Sequence, residues 1–237
     1  MVATKNRISE NGKAPANGKV TKDAAIVIDP LNIVYATFTI RGDAPLVMNR
    51  FSRRVQEELV GKQKAGQDGK NTGKTRDPKD FELCFEEAKH KIANGKYKGR
   101  YGIPASGLRS AMIRATSLVG HKMTMAKCTV FVIEDGFGDD GCPLVVIECD
   151  EPEQTIMPVR NSGPAGVIDF RARPMFQRGW TASVTLRFDS DQFSTQSVAN
   201  LLHRAGQQVG ICEGRPFSRN STGMGWGTFV VGSTAKE

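Results

Sequence analysis

With 237 residues, 39% of them hydrophobic, the chain is long enough to bury a core, and its net charge of +8 favours an acidic partner. No apolar run approaches the ~18 residues of a membrane span, so no membrane partner is expected. Five cysteines form no C-x-x-C pair, three histidines are scattered without metal-ligand spacing, and no hydrophobic leader precedes them; the expectation is a reduced, cytoplasmic protein with no metal and no cofactor.

The charge is concentrated. Residues 1–23 carry Lys5, Arg7, Lys13, Lys19 and Lys22 against Glu10 and Asp23, for +3, and residues 62–79 carry Lys62, Lys64, Lys70, Lys74, Arg76 and Lys79 against Asp68 and Asp77, for +4. Both stretches are rich in Gly, Asn and Lys, which cannot bury apolar surface. They read as a flexible basic arm, 1–23, and a basic insertion, 61–78, in a single domain spanning 24–237. Such segments suit a polyanion through counterion release, and equally suit plain solvation.

In chain order, Asn32–Ile40 alternates Ile33, Tyr35 and Thr37 against Val34, Ala36, Phe38 and Ile40, the pattern of a half-buried strand. Arg41-Gly42-Asp43-Ala44-Pro45 ends it and puts Asp43 on the following loop. Met48–Val60 has helical spacing, with Arg50, Arg53 and Arg54 around its apolar stripe. Lys79–Ala93, entered through Asp77-Pro78, predicts a second helix on Phe81, Cys84, Phe85, Ala88 and Ile92. Tyr97–Tyr101 reads as extended.

The segment Ile103–Ala115 is a turn entering a helix. Its small first residues, Ser106 among them, allow close approach to backbone N–H groups, and Arg109 and Arg114 would add charge for a phosphate; a helix packed on a sheet has the same composition. Cys128–Glu134 and Leu144–Cys149 predict a hairpin across a turn holding Asp135, Asp139 and Asp140, a solvated turn rather than a cation loop. Val167–Pro174 places Arg171 and Arg173 on one strand face, a spacing that fits a track of phosphates or a solvated edge. Trp180–Phe188 is a strand, and Ser194–Ala205 an amphipathic helix on Val198, Leu201 and Leu202.

Six glycines between Gly206 and Gly227 then demand positive φ or close approach, ahead of a closing strand at Thr228–Val231. Among them stand Arg204, Arg215 and Arg219 with Phe217 and Trp226, the chemistries that hold phosphates and stack on unpaired bases. The two aromatic side chains fit a core role as well.

Two of these stretches resemble the RAMP superfamily, the subunits that form the backbone of CRISPR effector complexes. Ile103-Pro104-Ala105-Ser106-Gly107-Leu108-Arg109 is similar to that family's I-P-G-S-S-L-K turn and helix, and Gly210–Arg215 with Gly223–Gly227 is similar to its glycine-rich loop. Pro45–Ser52 also resembles a segment of small bacteriophage proteins. The resemblance implies an α+β, RRM-like (ferredoxin-like) antiparallel sheet with helices on one face and a C-terminal Gly-rich hairpin. It also implies a chain that binds single-stranded RNA or DNA, RNA before DNA, and assembles as a homo-oligomeric filament or complex backbone. The expected contacts are Arg50, Arg53, Arg54, Lys62, Lys64, Lys70, Lys74, Arg76, Ser106, Arg109, Arg114, Arg171, Arg173, Arg215, Phe217, Arg219 and Trp226. Some subunits of that family cut RNA with an Asp after the first strand. Asp43 stands there, so a metal-dependent endoribonuclease is the alternative, followed by a protein-only assembly subunit.

Overall fold

The structure, a computed structural model, describes residues 28–64, 79–160, 168–217 and 223–232. The chain divides into two units, residues 1–30 and 31–237, and the second carries all the elements below. Both the basic arm, 1–23, and positions 65–78 of the basic insertion lie outside the described residues.

The first strand, β1 (Ile33–Gly42), alternates as expected: Phe38 and Ile40 are buried, while Tyr35, Thr37, Thr39 and Arg41 are exposed. It pairs antiparallel with β9 (Thr181–Asp189) along its length, from Ile33↔Asp189 to Arg41↔Thr181. On its other edge it meets β10 (Phe229–Val231), and β4 (Val130–Ile133) completes the sheet beyond β9, giving the order β10-β1-β9-β4. Two helices lie between strands of this sheet in chain order: α3 (Ala105–Leu118), between β1 and β4, and α5 (Thr195–Arg204), between β9 and β10. Their apolar stripes, Leu108, Met112 and Ala115 on one and Val198, Leu201 and Leu202 on the other, share one core with Phe38, Ile40, Val184, Leu186 and Phe229. Helices therefore cover one face of the sheet. Numbered by appearance, its strands lie in space as fourth, first, third, second, and all neighbours are antiparallel.

The remaining elements are excursions. Between β1 and α3 come β2 (Leu46–Val47), α1 (Arg53–Lys64), α2 (Phe81–Glu87) and β3 (Gly102–Pro104). A short helix, α4 (Met123–Thr129), leads into β4. Between β4 and β9 lie β5 (Gly136–Phe137), β6 (Pro143–Val146), β7 (Glu153–Arg160) and β8 (Ile168–Phe176). They form two small antiparallel sheets, β2-β8-β7 and β3-β6-β5. No helix among the described residues is long and apolar enough to cross a membrane.

Several expectations are corrected here. The helix predicted at Met48–Val60 starts at Arg53, because Leu46 and Val47 pair with Phe176 and Met175 and the Met48 N–H donates to the Pro174 carbonyl at 3.0 Å. It runs on to Lys64, so residues 61–64 belong to helix and not to the insertion. The second helix is only Phe81–Glu87. Its cap is Asp80, whose Oδ1 accepts from the Leu83 N–H at 3.0 Å, and beyond it Ile92 turns to bond Arg100 and Gly99. Residues 97–100, expected to be extended, form those turns. The hairpin of Cys128–Glu134 with Leu144–Cys149 is absent: β4 pairs with β9, whereas β6 pairs with β3 and β5. Strand β7 was not foreseen, since Pro158 argues against a strand interior; it is tolerated because β7 is a sheet edge.

His90 links α2 to these excursions and is buried. Burial drives its imidazole down to about 4, against the pull of Asp140, with the Arg50 charge adding to the fall and Asp139 opposing it. The folded group stays neutral where the unfolded one, near 6.5, takes up a proton. Its contribution is thus full above the unfolded value and fades as pH falls from there toward about 4, amounting to about 3 kcal/mol over the window. Urea midpoints of the wild type should drop more steeply between pH 7 and pH 4.5 than those of His90→Gln. Parallel profiles would remove His90 as the cause.

Candidate nucleic-acid interface

The two stretches that stood far apart in sequence meet. Helix α3 turns Leu108, Met112 and Ala115 inward, which leaves Ser106 and Ser110 exposed and Arg114 half-buried, each four residues from the next along one line. After α5 the chain makes a π-helical turn, Ala205–Val209, that packs on α3. The loop beyond it brings Phe217 to Arg114, with the guanidinium carbon 4.0 Å from the ring centroid. Phe217 remains 38% exposed. The Arg114 Nε is buried and has no hydrogen-bond partner among the described residues. Arg215 braces the same loop, donating from Nε to the Phe217 carbonyl at 3.2 Å and from Nη1 to the Cys212 carbonyl at 2.8 Å. Ser106, Ser110, Arg114 and Phe217 together make one ridge.

Four of the six glycines, Gly206, Gly210, Gly214 and Gly227, serve the loop's packing on its own chain. At Gly227, with φ of 68°, a Cβ would lie 1.9 Å from the Ile211 carbonyl oxygen; at Gly214, with φ of 74°, it would lie 2.5 Å from the Trp226 ring. Trp226 is accordingly half-buried over Gly214. Backbone bonds from Gly227 to Pro45 (2.7 Å) and from Glu213 to Val47 (3.0 Å) tether the loop beside β2. Among the described residues the expected Gly-rich hairpin is a tethered loop, leading to the strand Phe229–Val231.

Other expected contacts are engaged within the fold. Arg109 donates from Nε to the Val130 carbonyl at 2.9 Å and from Nη2 to the Lys127 carbonyl, closing the end of α4, and its guanidinium carbon lies 4.5 Å from the centroid of Phe131. Arg173 is ion-paired with Glu213 at 2.9 Å, both side chains largely buried. Arg50 binds Asp139 and Asp140 of the β5–β6 turn. Arg171 lies 3.6 Å from Asp169, which Lys79 also contacts. Lys64 is exposed on α1. Lys70, Lys74, Arg76 and Arg219, and the side chains of Arg53, Arg54 and Lys62, lie outside the described residues.

Asp43 joins three elements. Its Oδ2 accepts from Gln207 Nε2 at 2.8 Å, its Oδ1 accepts from the Thr228 hydroxyl, and Gln207 also donates to the Phe229 carbonyl at 2.8 Å. Burial alone would raise this carboxyl. The bonds from Gln207, Thr228 and its own backbone, with the charge of Arg178, outweigh that and hold it below the ordinary value. Among the described residues no three His, Cys, Asp or Glu side chains gather as a metal site.

Sequence reasoning missed the other side of the sheet. Tyr35, Arg41 and Arg187 share its uncovered face with Phe131 and a set of hydroxyl side chains. Alternation alone marks one face of each strand as outward; it does not say which outward residues of different strands become neighbours.

No family model and no curated protein matches the chain. Among solved structures it is similar to Cmr6 from Pyrococcus furiosus, at 12% identity over 85% of this chain and 100% of that one, with a TM-score of 0.39.

The contacts of Asp43 predict a structural effect. Asp43→Ala leaves the Thr228 hydroxyl and one Gln207 donor without their partner and should cost about 1–3 kcal/mol in denaturant unfolding at pH 7. Thr228→Val should cost less, and the double mutant less than the sum. Because the folded carboxyl titrates below its unfolded value, the cost is full above the ordinary carboxylate range and shrinks as pH falls through the lowered value. Additive effects of the two substitutions would show that the contact contributes nothing.

Proposed function

We propose that the chain binds single-stranded nucleic acid, RNA before DNA, along the ridge of α3 and the glycine-rich loop. The observation that carries this reading is the meeting of Arg114 and Phe217. An exposed ring backed by a guanidinium offers a surface for an unpaired base, and Ser106 and Ser110 continue the line toward the start of α3, where free N–H groups suit a phosphate. The strand order of the main sheet, with two helices on one face, supports an RRM-like (ferredoxin-like) core. Together with the Ile103–Arg109 turn and the tethered glycine loop, it supports a place in the RAMP superfamily.

Assembly with further copies is part of the proposal. The outer half of the β7–β8 ribbon presents Ile156, Ile168 and Phe170 on one face, each more than half exposed, with Pro158 paired opposite Phe170. A contiguous apolar strip of this kind favours a protein contact. Asp43, with both oxygens already bonded, gives the nuclease alternative no support.

Binding of a labelled oligonucleotide, followed by anisotropy, tests the reading. Phe217→Ala and Arg114→Gln should each weaken single-strand binding about tenfold, the loss of one stacked base, and single strands should bind better than duplex of equal length. Equal affinity for duplex and single strand, or unchanged binding in both variants, would sink it. Removing residues 65–78, which hold Lys70, Lys74 and Arg76, should flatten the log–log salt dependence by about 2 on single strands while leaving α1 whole. An unchanged slope would assign that segment to another role.

A further inference from the structure

The geometry points to a second strand-binding surface on the side of the main sheet that the helices leave open. This goes beyond the ridge and does not depend on it. Register places Tyr35 beside Arg187 and Arg187 beside Phe131, one row across β1, β9 and β4. The next rows are Thr37 with Thr185 and Ile133, then Thr39 with Ser183, then Arg41 with Thr181 and Val230. Acidic residues stand at the two ends of these rows: Asp189, opposite Ile33, is buried and accepts from the Asp191 N–H at 3.1 Å, and Glu148, bridged to Thr181, is ion-paired with Arg100. Tyr35 is 61% exposed, large for an aromatic side chain in the middle of a sheet.

The row at Tyr35 has the more specific chemistry. The Arg187 guanidinium carbon sits 4.4 Å from the Phe131 centroid, and Arg109 approaches the same ring. Phe131 is thus a seat that holds Arg187 against the sheet. The Arg187 Nε is buried with no hydrogen-bond partner among the described residues. A planar cation held in place next to an exposed phenol ring matches one nucleotide: the base stacks on Tyr35 and the phosphate meets Arg187. Beyond it the hydroxyls of Thr37 and Thr185, 2.9 Å apart, and of Thr39 and Ser183 both donate and accept, as sugar and base edges require, and Arg41 supplies a further charge at the far end. Charge selects this occupant. A polyanion complements Arg41 and Arg187, and the neighbouring Glu148 is already paired with Arg100.

The test uses the full chain with its ridge disabled by Arg114→Gln and Phe217→Ala. Residual binding of a single-stranded oligonucleotide should persist in that protein and fall a further tenfold or so on adding Tyr35→Leu, and likewise with Arg187→Lys, which keeps the charge but loses the planar fork. A photoreactive oligonucleotide should crosslink to the peptide holding Tyr35. One long strand per protein crosslinked at both Tyr35 and Phe217 would show a single strand reaching both surfaces; two strands per protein would show separate strands. Thermal melts of Tyr35→Leu should match the wild type, because the ring is exposed. Unchanged residual binding in the Tyr35 and Arg187 variants overturns the inference. So does a change of oligomeric state in those variants without nucleic acid, which would assign the face to a second copy. If instead the ridge variants bind as wild type and only the sheet-face variants lose affinity, the ridge reading fails and this surface stands alone.

Discussion

The pairing of β1 with β9 is the constraint on which the rest depends. Nine consecutive partners, Ile33↔Asp189 to Arg41↔Thr181, fix which side chains of both strands face the helices. Side chains alternate with period two, so a slip of one residue on either strand would bury that strand's hydroxyl and arginine set and expose its apolar set, Phe38 and Ile40 on β1 or Val184 and Leu186 on β9. Burying those apolar side chains stabilises the fold by roughly 1.5–3 kcal/mol each. The register is therefore held by the core on one face, and the open face inherits it. Tyr35 and Arg187 are neighbours because Phe38, Ile40, Val184 and Leu186 must be inside.

The same pairing ends at a junction that positions the ridge. Gly42 closes β1 directly against Trp180, so closely that a Cβ would lie 2.1 Å from the indole nitrogen, and that nitrogen donates to the Ala44 carbonyl at 3.1 Å. The chain is thereby turned toward β2, where Pro45 and Val47 receive the glycine loop, while Asp43 reaches Gln207 and Thr228 on either side of it. Phe217 arrives at Arg114 because the loop is fastened at these points. Substitutions at Asp43 would thus act on the placement of this loop.

How much of this was legible follows from the range of the interactions. Strands β1, β8 and β9 and helices α3 and α5 show their periodicity over nine or more residues, because each presents one face to a core, and they were read nearly to their ends. Helices α2 and α4, at seven residues each, are too short for a 3.6-residue pattern to separate from a strand or a longer helix. Strand β7 hides behind Pro158, and the partners of β4 and β6 are set by the third dimension. At the site, the two glycine- and serine-rich stretches were visible as local composition. The engagement of Arg109 with the end of α4, and of Arg173 with Glu213 forty residues away, was not, since nothing local marks an arginine whose partner is a remote carbonyl or carboxylate.

Hydrogen bonding sorts the arginines better than sequence position does. Arg50, Arg109 and Arg173 each bond partners inside the fold through Nε and one terminal nitrogen. Among the described residues, the buried side-chain nitrogens and oxygens without any partner are two, the Nε atoms of Arg114 and Arg187. An unsatisfied buried donor costs about 1–3 kcal/mol, so it persists in a fold when something else in the protein's working life offsets it. Both arginines also lie over a phenylalanine ring, and each stands beside an exposed aromatic side chain, Phe217 in one case and Tyr35 in the other. One belongs to the helical side of the sheet and one to the open side. The two orphaned donors thus fall on opposite sides of the sheet, each on a surface that carries an exposed ring.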